Sequence, residues 1–268
     1  EYRQRNASGI TNSQVSFSPI TLTTSGQYYF VMDGFKSNTH RISVQLRPRL
    51  EQLELTVVPP SYTRLDTNSY TYPFSQIRAY RGSEIKLNSV TNKPVKRFAL
   101  NKSTLPDSTL SSSGSSNPQK FQYQWQVNQT DTVSFSMTDS AGLSNKNEFR
   151  FVIDPRQDQS PFVNLNAPSE NLKMKTPEEV LVKYEAGDYF GLTSASLQYE
   201  LQQAFQSDAQ RGSIKLGQPA MNQEEQFNWS VPDLNPKPRD VITYWVEVTD
   251  NDAYNGYKTG RSQKMTIT

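Results

Sequence analysis

The sequence predicts an all-β protein made of tandem immunoglobulin-like β-sandwiches, and three observations support this prediction. First, apolar and polar residues alternate along the most hydrophobic segments, as in Phe121-Gln-Tyr-Gln-Trp-Gln-Val127, and no long segment has the apolar spacing of an amphipathic helix. Second, a pattern of strand and turn recurs along the chain. Third, prolines mark the intervening segments, where a fixed φ and a missing donor suit linkers better than central strands.

The recurring pattern is a strand that ends in an aspartate. Thr132–Asp139 aligns with Thr243–Asp250, which places Phe135 and Val246 on the same inner face. A weaker copy ends at Asp33. Successive aspartates are roughly one hundred residues apart, which is the length of one immunoglobulin-like sandwich.

The proline-marked boundaries divide the chain into three units. Residues 1–47 are predicted to be the C-terminal part of one repeat, with too few strands to close a sandwich, and residues 48–156 and 157–268 are each predicted to be a full sandwich. The low-complexity segment Ser108–Asn117 is predicted to be a mobile loop. Because the sequence begins at Glu1 and has no apolar run of membrane-spanning length, we expect a piece of a larger protein whose anchor lies outside these residues.

The composition argues against several classes of function. The chain has no cysteine, which removes disulfides, thiolate metal sites and cysteine nucleophiles. Its one histidine, His40, is predicted to lie in a turn between strands. The formal net charge of +2 and the scattered basic residues argue against nucleic-acid binding, and glycine-rich phosphate loops are absent. We therefore expect no enzymatic activity.

Several short motifs occur in an order that resembles a known family. The motifs are Pro59–Leu65, Gly82–Leu87, Thr91–Pro94, Thr138–Asn145, Glu185–Leu192, Val248–Asp252 and Lys258–Ser262. Over about residues 50–268 the order resembles a family of large membrane-anchored bacterial proteins of unknown function with tandem immunoglobulin-like repeats outside the cytoplasmic membrane. Where that family tends to read Asp-Asp-Tyr-Gly, this chain has Gly187-Asp-Tyr-Phe-Gly191. The resemblance implies an extracytoplasmic location, in the periplasm or cell envelope, and no catalytic residues.

Acidic residues are predicted to converge at one end of the last sandwich, where the B–C loop, the F–G loop and the incoming linker meet. The acids are Glu185 and Asp188 in the B–C loop, Asp250 and Asp252 in the F–G loop, and Asp154 and Asp158 in the linker. Calcium takes six to eight oxygen ligands, so Asp188, Asp250, Asp252 and Asp158 form a candidate calcium site.

A second interpretation of the same acids needs no metal. Aspartates are favoured in turns because they bind their own backbone. Lys258 and Arg261 follow in the F–G loop and could neutralise the acids, as Lys93 could neutralise Asp139 in the preceding repeat by an ordinary ion pair. Both interpretations remain open at this point.

Aromatic residues offer a different candidate site. By strand alternation Trp125 and Trp229 face the core, whereas Trp245 falls on the opposite face from its apolar neighbours. Trp245, together with Tyr254 and Tyr257 of the F–G loop, could stack on a sugar ring. Packing against a neighbouring strand or domain is the alternative.

These observations predict a non-catalytic structural or protein-interaction region of a larger bacterial envelope protein, with the repeats acting as an extracytoplasmic arm. The expected partners are other envelope proteins or parts of the same larger chain, with no nucleic acid and with a membrane only through segments outside these residues. No cofactor is expected, and calcium is the one candidate ion. The alternative function is a carbohydrate-binding module attached to a larger enzyme or adhesin.

Overall fold

A computed structural model describes residues 3–11, 14–110, 119–217 and 222–268. Within these ranges the regular structure is β-strand, apart from two short 3-10 helices, Ser61–Thr63 and Pro232–Leu234. The described part of the chain contains no helix long and apolar enough to cross a membrane. The prediction of an all-β protein is confirmed.

The described residues of the N-terminal segment form small hairpins that belong to neither of the two sandwiches. The strands are β1 (Gly9–Thr11), β2 (Gln14–Ser16), β3 (Gly26–Tyr28), β4 (Val31–Met32), β5 (Phe35–Lys36) and β6 (His40–Ile42). β1 pairs with β2, β3 with β6, and β4 with β5. Apolar side chains here face solvent, and Phe35 is 82% exposed.

Two predictions for this segment were wrong. The strand predicted to end at Asp33 is divided into β3 and β4 and is exposed, and Asp33 and Gly34, which take positive φ, form the two-residue turn between β4 and β5. His40 does not lie in a turn but begins β6, opposite Tyr28, and its ring stacks on that tyrosine at 5.2 Å between centroids. Both errors arise because a short exposed hairpin has no buried face to fix its register.

The first sandwich packs two sheets around an aromatic core. Its strands are β7 (Leu50–Val58), β8 (Asn68–Thr71), β9 (Gln76–Tyr80), β10 (Glu84–Thr91), β11 (Arg97–Lys102), β12 (Leu105–Leu110), β13 (Lys120–Gln126), β14 (Asp131–Thr138) and β15 (Phe149–Arg156). One sheet has the order β13-β10-β7-β8 and the other β12-β11-β14-β15-β9. Phe98, Phe135 and Phe151 are buried between the sheets. The predicted loop Ser108–Asn117 is in part wrong, since its first residues belong to β12, and the rest lies outside the described residues.

The second sandwich is built in the same way. Its strands are β16 (Phe162–Ala167), β17 (Glu179–Gly187), β18 (Leu192–Gln202), β19 (Gln210–Leu216), β20 (Asn222–Ser230), β21 (Val241–Asp250), β22 (Thr259–Arg261) and β23 (Met265–Ile267). One sheet has the order β16-β17-β20, and the other has the order β19-β18-β21, with β22 and β23 both paired to β21. Alternate residues of β21 point inward, and Tyr244 packs there against Trp229 at 5.2 Å between ring centroids. The strict alternation of β21 explains why its last residue, Asp250, is buried.

Strand order shows that the two sandwiches share one immunoglobulin-like topology. Strands A, B and E are β7, β10 and β13 in the first and β16, β17 and β20 in the second. Strands C′, C and F are β12, β11 and β14 in the first and β19, β18 and β21 in the second, and strand G is β15 or β22 with β23. In both, a segment before strand B pairs in parallel with strand G, through β9 in the first sandwich and a Leu172–Ile267 bridge in the second. The predicted tandem immunoglobulin-like sandwiches are confirmed.

Each sandwich has two ends, and the chain enters at one and leaves at the other. The leading end holds the incoming linker and the B–C and F–G loops, which are residues 157–161, 188–191 and 251–258 in the second sandwich. The trailing end holds the turn before strand B and the E–F loop, which are residues 81–83 and 127–130 in the first sandwich and residues 173–178 and 231–240 in the second. The leading end of the second sandwich meets the trailing end of the first.

Candidate functional site

The acidic cluster at the leading end of the second sandwich comes together largely as predicted. Carboxylate oxygens of Asp158, Asp188 and Asp250 all lie within 4.8 Å of one another. Asp252 is linked to this group because Lys258 also contacts its carboxylate. The side chains of Asp158, Asp250 and Asp252 are at most 2% exposed, so their negative charges have almost no access to water.

A lysine lies among these carboxylates. Nζ of Lys258 is 2.6 Å from Oδ2 of Asp250, 3.0 Å from Oδ2 of Asp158 and 3.1 Å from Oδ2 of Asp252. The contacts with Asp158 and Asp252 are hydrogen bonds, and the contact with Asp250 is the shortest of the three ion pairs. Burying carboxylates without a positive partner is costly, and Lys258 supplies that partner.

The pKa values at the cluster follow from burial and from Lys258. Burial lowers the pKa of Lys258, but its contacts with the three aspartates outweigh burial and hold that pKa above the usual lysine value. Burial raises the pKa of Asp158 despite the hydrogen bond from Lys258. Burial would also raise the pKa of Asp252, but hydrogen bonds from Asn255 and Lys258 bring it below the usual value.

Backbone N–H groups bind three further carboxylate oxygens, one each on Asp188, Asp250 and Asp252. Oδ2 of Asp188 accepts hydrogen bonds from the N–H groups of Phe190 and Gly191, at 2.8 and 2.9 Å. Oδ1 of Asp250 accepts from the N–H of Lys258 at 2.9 Å, and Oδ1 of Asp252 accepts from the N–H of Asn255 at the same distance. Each aspartate therefore folds its own loop, as the metal-free interpretation expects.

Calcium at Asp158, Asp188, Asp250 and Asp252 stays a prediction. The carboxylates are close enough to share an ion, but the ammonium of Lys258 lies among the oxygens that would bind it. Calcium binding would thus require Lys258 to move away.

The other predicted members of the acidic group lie elsewhere, and Arg261 does not neutralise it. Asp154 is part of β15, where its Oδ2 accepts a hydrogen bond from Gln76 and lies 3.7 Å from Nε of Arg78. Glu185 is exposed within β17. Both were misplaced because β15 and β17 extend further than their apolar alternation indicates. Arg261 instead pairs with Glu247, at 2.7 Å.

Contacts with the first sandwich surround the cluster. The ring of Phe190 lies edge-on between two tyrosines of the first sandwich, with centroids 5.6 Å from Tyr62 and 4.9 Å from Tyr80. Nδ2 of Asn251 donates to the carbonyls of Tyr62 and Phe190, at 3.0 and 2.9 Å. Burial and the nearby charge of Asp252 raise the pKa of Tyr62. No periodic signal in the sequence marks Phe190, Asn251 or Tyr62 as junction residues.

Tyr254 of the F–G loop also contacts the first sandwich. Its hydroxyl donates to Oε1 of Gln126 at 2.9 Å and lies 3.3 Å from Oδ1 of Asn128. Its ring lies against Gly82, where a Cβ atom would be 2.5 Å from the ring. Gly82 also has φ of +91°, a conformation that glycine adopts readily and other residues rarely do. Glycine is thus required here for two independent reasons.

The leading end of the first sandwich has a similar arrangement with a different lysine. Asp139, which aligns with Asp250, is 1% exposed, and its Oδ2 lies 2.6 Å from Nζ of Lys93. The same Nζ donates to the carbonyl of Leu46, in the incoming chain, at 3.0 Å. The hydrogen bond from Lys93 lowers the pKa of Asp139. The predicted ion pair is confirmed, although its acid is buried and not exposed.

The predicted aromatic site is not assembled. Trp245 lies on the outer face of its sheet with Nζ of Lys264 4.3 Å from the ring centroid. It lines a groove of about 590 Å³ with Gln198, Glu200, Arg211, Ser213, Glu247 and other residues of that face. Neither Tyr254 nor Tyr257 is among the described residues lining the groove. Five strand residues lie between Trp245 and the F–G loop, which corresponds to a separation of about 20 Å. The inward placement of Trp125 and Trp229 is confirmed, since Trp229 is 1% exposed and Trp125 packs partly buried against the first core.

Comparison with known proteins gives only distant structural likenesses. No family model and no curated protein matches the chain. Among solved structures, fibronectin(III)-like modules of CbhA from Clostridium thermocellum match at 13% identity over 72% of this chain and 86% of that chain, with a TM-score of 0.25. Trypsin-activated alpha-2-macroglobulin from Escherichia coli matches at 11% identity over 90% of this chain and 18% of that chain, with a TM-score of 0.26.

A third solved structure, a DUF4785 family protein from Legionella pneumophila, matches at 8% identity over 75% of this chain and 79% of that chain, with a TM-score of 0.24. At such TM-scores these likenesses carry no argument, and the fold assignment rests on the strand order described above. Immunoglobulin-like sandwiches commonly serve as structural or interaction domains, and many occur at cell surfaces.

Proposed function

We propose that this chain is a non-catalytic structural and protein-interaction region of a larger bacterial envelope protein, in which two immunoglobulin-like sandwiches form a stiff extracytoplasmic arm. One observation carries the proposal: Lys258 ties Asp158 of the linker to Asp250 of the second sandwich, at the place where that sandwich packs on the first. Domains joined by modest interfaces normally move relative to each other. Here Lys258 fastens the linker to the second sandwich, and a rotation that moves the linker would separate buried charges, which is costly.

The location and partners follow from the family that the sequence resembles. Its repeats lie outside the cytoplasmic membrane, and an arm in that compartment would present loops and strand edges to other envelope proteins or to other parts of its own chain. The exposed aromatic and apolar side chains of β4 and β5, such as Phe35, are the kind of surface that such contacts would cover.

Distance measurement tests the stiffness of the arm. The chain has no cysteine, so Lys86→Cys and Lys215→Cys place one spin label on an exposed strand position of each sandwich. We expect a narrow distance distribution that broadens when Lys258→Met is added, and no broadening with Lys264→Met, which removes a lysine outside the junction. A broad distribution in the unaltered junction would refute the stiff arm.

Activity assays test the non-catalytic part of the proposal. We expect no hydrolytic turnover of envelope polymers such as peptidoglycan. Turnover that disappears with Asp188→Asn, in a variant that keeps its melting temperature, would make the chain an enzyme and overturn the proposal.

Carbohydrate binding is a second candidate function, favoured by the position of Trp245. An aromatic ring in a groove with carboxylate, guanidinium and amide side chains suits a sugar ring, which needs both stacking and hydrogen bonds. Glycan-array binding that is lost with Trp245→Ala and kept with Tyr257→Ala, an exposed aromatic residue outside the groove, would establish this function. Binding that both variants retain would exclude the groove.

A further inference from the structure

We propose that the trailing end of the second sandwich is a docking surface for the leading end of another immunoglobulin-like unit, and that a cavity there receives an aromatic side chain of that unit. The proposal deepens the arm function and rests on it, because it names the class of partner. Three features support it: the junction between the two sandwiches, the similarity of their trailing ends, and the shape and charge of the cavity.

Two buried aspartates show that the trailing ends correspond. Asp131 begins strand F of the first sandwich and accepts hydrogen bonds from the hydroxyls of Ser103 and Thr104, in the turn after strand C. Asp240 immediately precedes strand F of the second sandwich and accepts a hydrogen bond from the N–H of Ala204, also in the turn after strand C. Both aspartates are less than 10% exposed. In both sandwiches, therefore, a buried aspartate near the start of strand F binds the turn after strand C, although the two aspartates are offset by two positions when the F strands are aligned.

The first trailing end already binds an immunoglobulin-like unit. Its tyrosines Tyr62 and Tyr80 contact Phe190, and its E–F loop and the preceding residue Gln126 contact Tyr254. The arriving unit thus contributes one aromatic residue from its B–C loop and one from its F–G loop. This interface gives the geometry expected at the second trailing end.

A cavity occupies the corresponding place on the second sandwich. It has a volume of about 270 Å³ and lies between the segment before strand B, the E–F loop and the end of strand G. Its apolar lining residues include Met174, Pro177, Val231, Pro236, Ile242 and Ile267. Pockets for small-molecule ligands are usually about 300–1,000 Å³, so this cavity is at the lower limit for a ligand and better suited to one inserted side chain.

The charge around the cavity is opposite to the charge at the leading end of the second sandwich. Three basic residues, Lys175, Lys237 and Arg239, line the cavity and are called its rim here, and the one acidic lining residue, Asp240, is buried. The leading end of the second sandwich carries Asp158, Asp188, Asp250 and Asp252 against Lys258, so the cluster is net negative. A positive rim and a negative loop cluster attract each other and orient the docking units.

The rim is held in a fixed conformation before any partner arrives. Arg239 has φ of +78°, which a residue with a side chain rarely adopts. Asp240 accepts a hydrogen bond from the N–H of Lys237 at 2.7 Å, and Pro236 and Pro238 restrict the backbone on either side. Backbone held in a sparsely populated conformation is often found at binding sites, and a rigid rim loses little entropy on docking.

The test extends the full chain with a second copy of residues 157–268 joined after Thr268. Because the chain has no cysteine, Lys237→Cys in the original part and Ala253→Cys in the appended copy supply the only two thiols, and both aromatic residues of the appended copy are kept. The matched control replaces Lys237→Cys with Lys215→Cys, on an exposed position of β19. Docking raises the effective concentration of the two thiols, so we expect disulfide formation at least about tenfold faster than in the control.

A second measurement needs no substitution. Hydrogen exchange of residues 231–240 should slow when the copy is appended, relative to the chain ending at Thr268. Equal disulfide rates at the two positions, together with unchanged exchange, would overturn the proposal. A disulfide between two unextended Lys237→Cys chains that forms at least about tenfold faster than one between two unextended Lys215→Cys chains would also overturn it, by making a second copy of this chain the occupant. Because the spin-label distances are measured within the unextended chain, failure of docking is distinguishable from failure of the arm.

Discussion

Replacing Lys258 with methionine removes the positive charge from the buried acidic cluster and leaves the length of the side chain nearly unchanged. Three carboxylates with side chains at most 2% exposed then lose their common partner. Removing one member of a buried ion pair typically costs about 3–5 kcal/mol, and the 24% exposure of Lys258 places this case near the lower end. A loss of about 3 kcal/mol lowers the melting temperature of a sandwich of this size by about 12 °C.

The pH dependence separates this mechanism from a simple loss of packing. In the wild type the pKa of Lys258 is raised on folding, so its contribution is fully present below the usual lysine pKa and is lost only as the pH rises through the higher folded value. In Lys258→Met the unpaired carboxylates acquire raised pKa values through burial and mutual repulsion. The folded state then binds more protons than the unfolded state, so its stability rises as the pH falls. We expect a smaller stability deficit at pH 5 than at pH 8.

Thermal unfolding followed by circular dichroism measures the deficit, and hydrogen exchange of peptides from β21 and β14 assigns it to one sandwich. The control is Lys264→Met, which removes a cation over the ring of Trp245 and should cost about 0.5–1 kcal/mol. A deficit below about 1 kcal/mol, the value of an exposed ion pair, would refute the reasoning. So would a deficit of equal size at pH 5 and pH 8.

Three further predictions concern the same junction. Millimolar calcium should leave the melting temperature of the wild type unchanged, because Lys258 takes the place of the ion. It should raise the melting temperature of Lys258→Met. A rise in the wild type that excess EDTA reverses would contradict this prediction. Gly82→Ala should destabilise the junction through both its positive φ and contact with Tyr254, and adding Tyr254→Ala should relieve only the contact, which a double-mutant cycle of melting temperatures measures. Tyr189 follows the end of strand B at the same spacing as Lys93 does in the first sandwich. The substitution Tyr189→Lys should therefore recover part of the stability that Lys258→Met loses. No recovery would show that the lysine must come from the F–G loop.

Local patterns made the strands and their inward faces predictable. Alternation in Val241–Asp250 fixes which residues of β21 are buried, and the aspartate at its end is buried because it continues that alternation. Convergence of Asp188 and Asp250 also followed, because the B–C and F–G loops of any immunoglobulin-like sandwich share one end. These inferences need only the period of a strand and the topology of the fold.

The contacts between the sandwiches had no comparable signal. Phe190 packs between Tyr62 and Tyr80, which lie more than one hundred positions earlier in the sequence, and no local pattern joins them. Trp245 was grouped with Tyr254 because both are aromatic and near in sequence, but an extended strand carries them apart. Residues that are near in sequence lie far apart when an extended strand joins them.

In both leading ends a lysine neutralises the aspartate at the end of strand F, but the lysine comes from a different loop in each. The requirement is therefore a positive charge near the aspartate and not a lysine at one sequence position. In each, the aspartate at the end of strand F is buried and binds the backbone of its own loop, through Ala141 and Leu143 for Asp139 and through Lys258 for Asp250. A buried carboxylate needs a nearby positive charge, and either loop at that end can provide one. In both cases the lysine also binds the incoming chain, at the carbonyl of Leu46 or the carboxylate of Asp158. The same lysine therefore neutralises the aspartate and binds the incoming linker. A repeat that keeps the aspartate can carry this lysine in either loop and still bind the chain that precedes it.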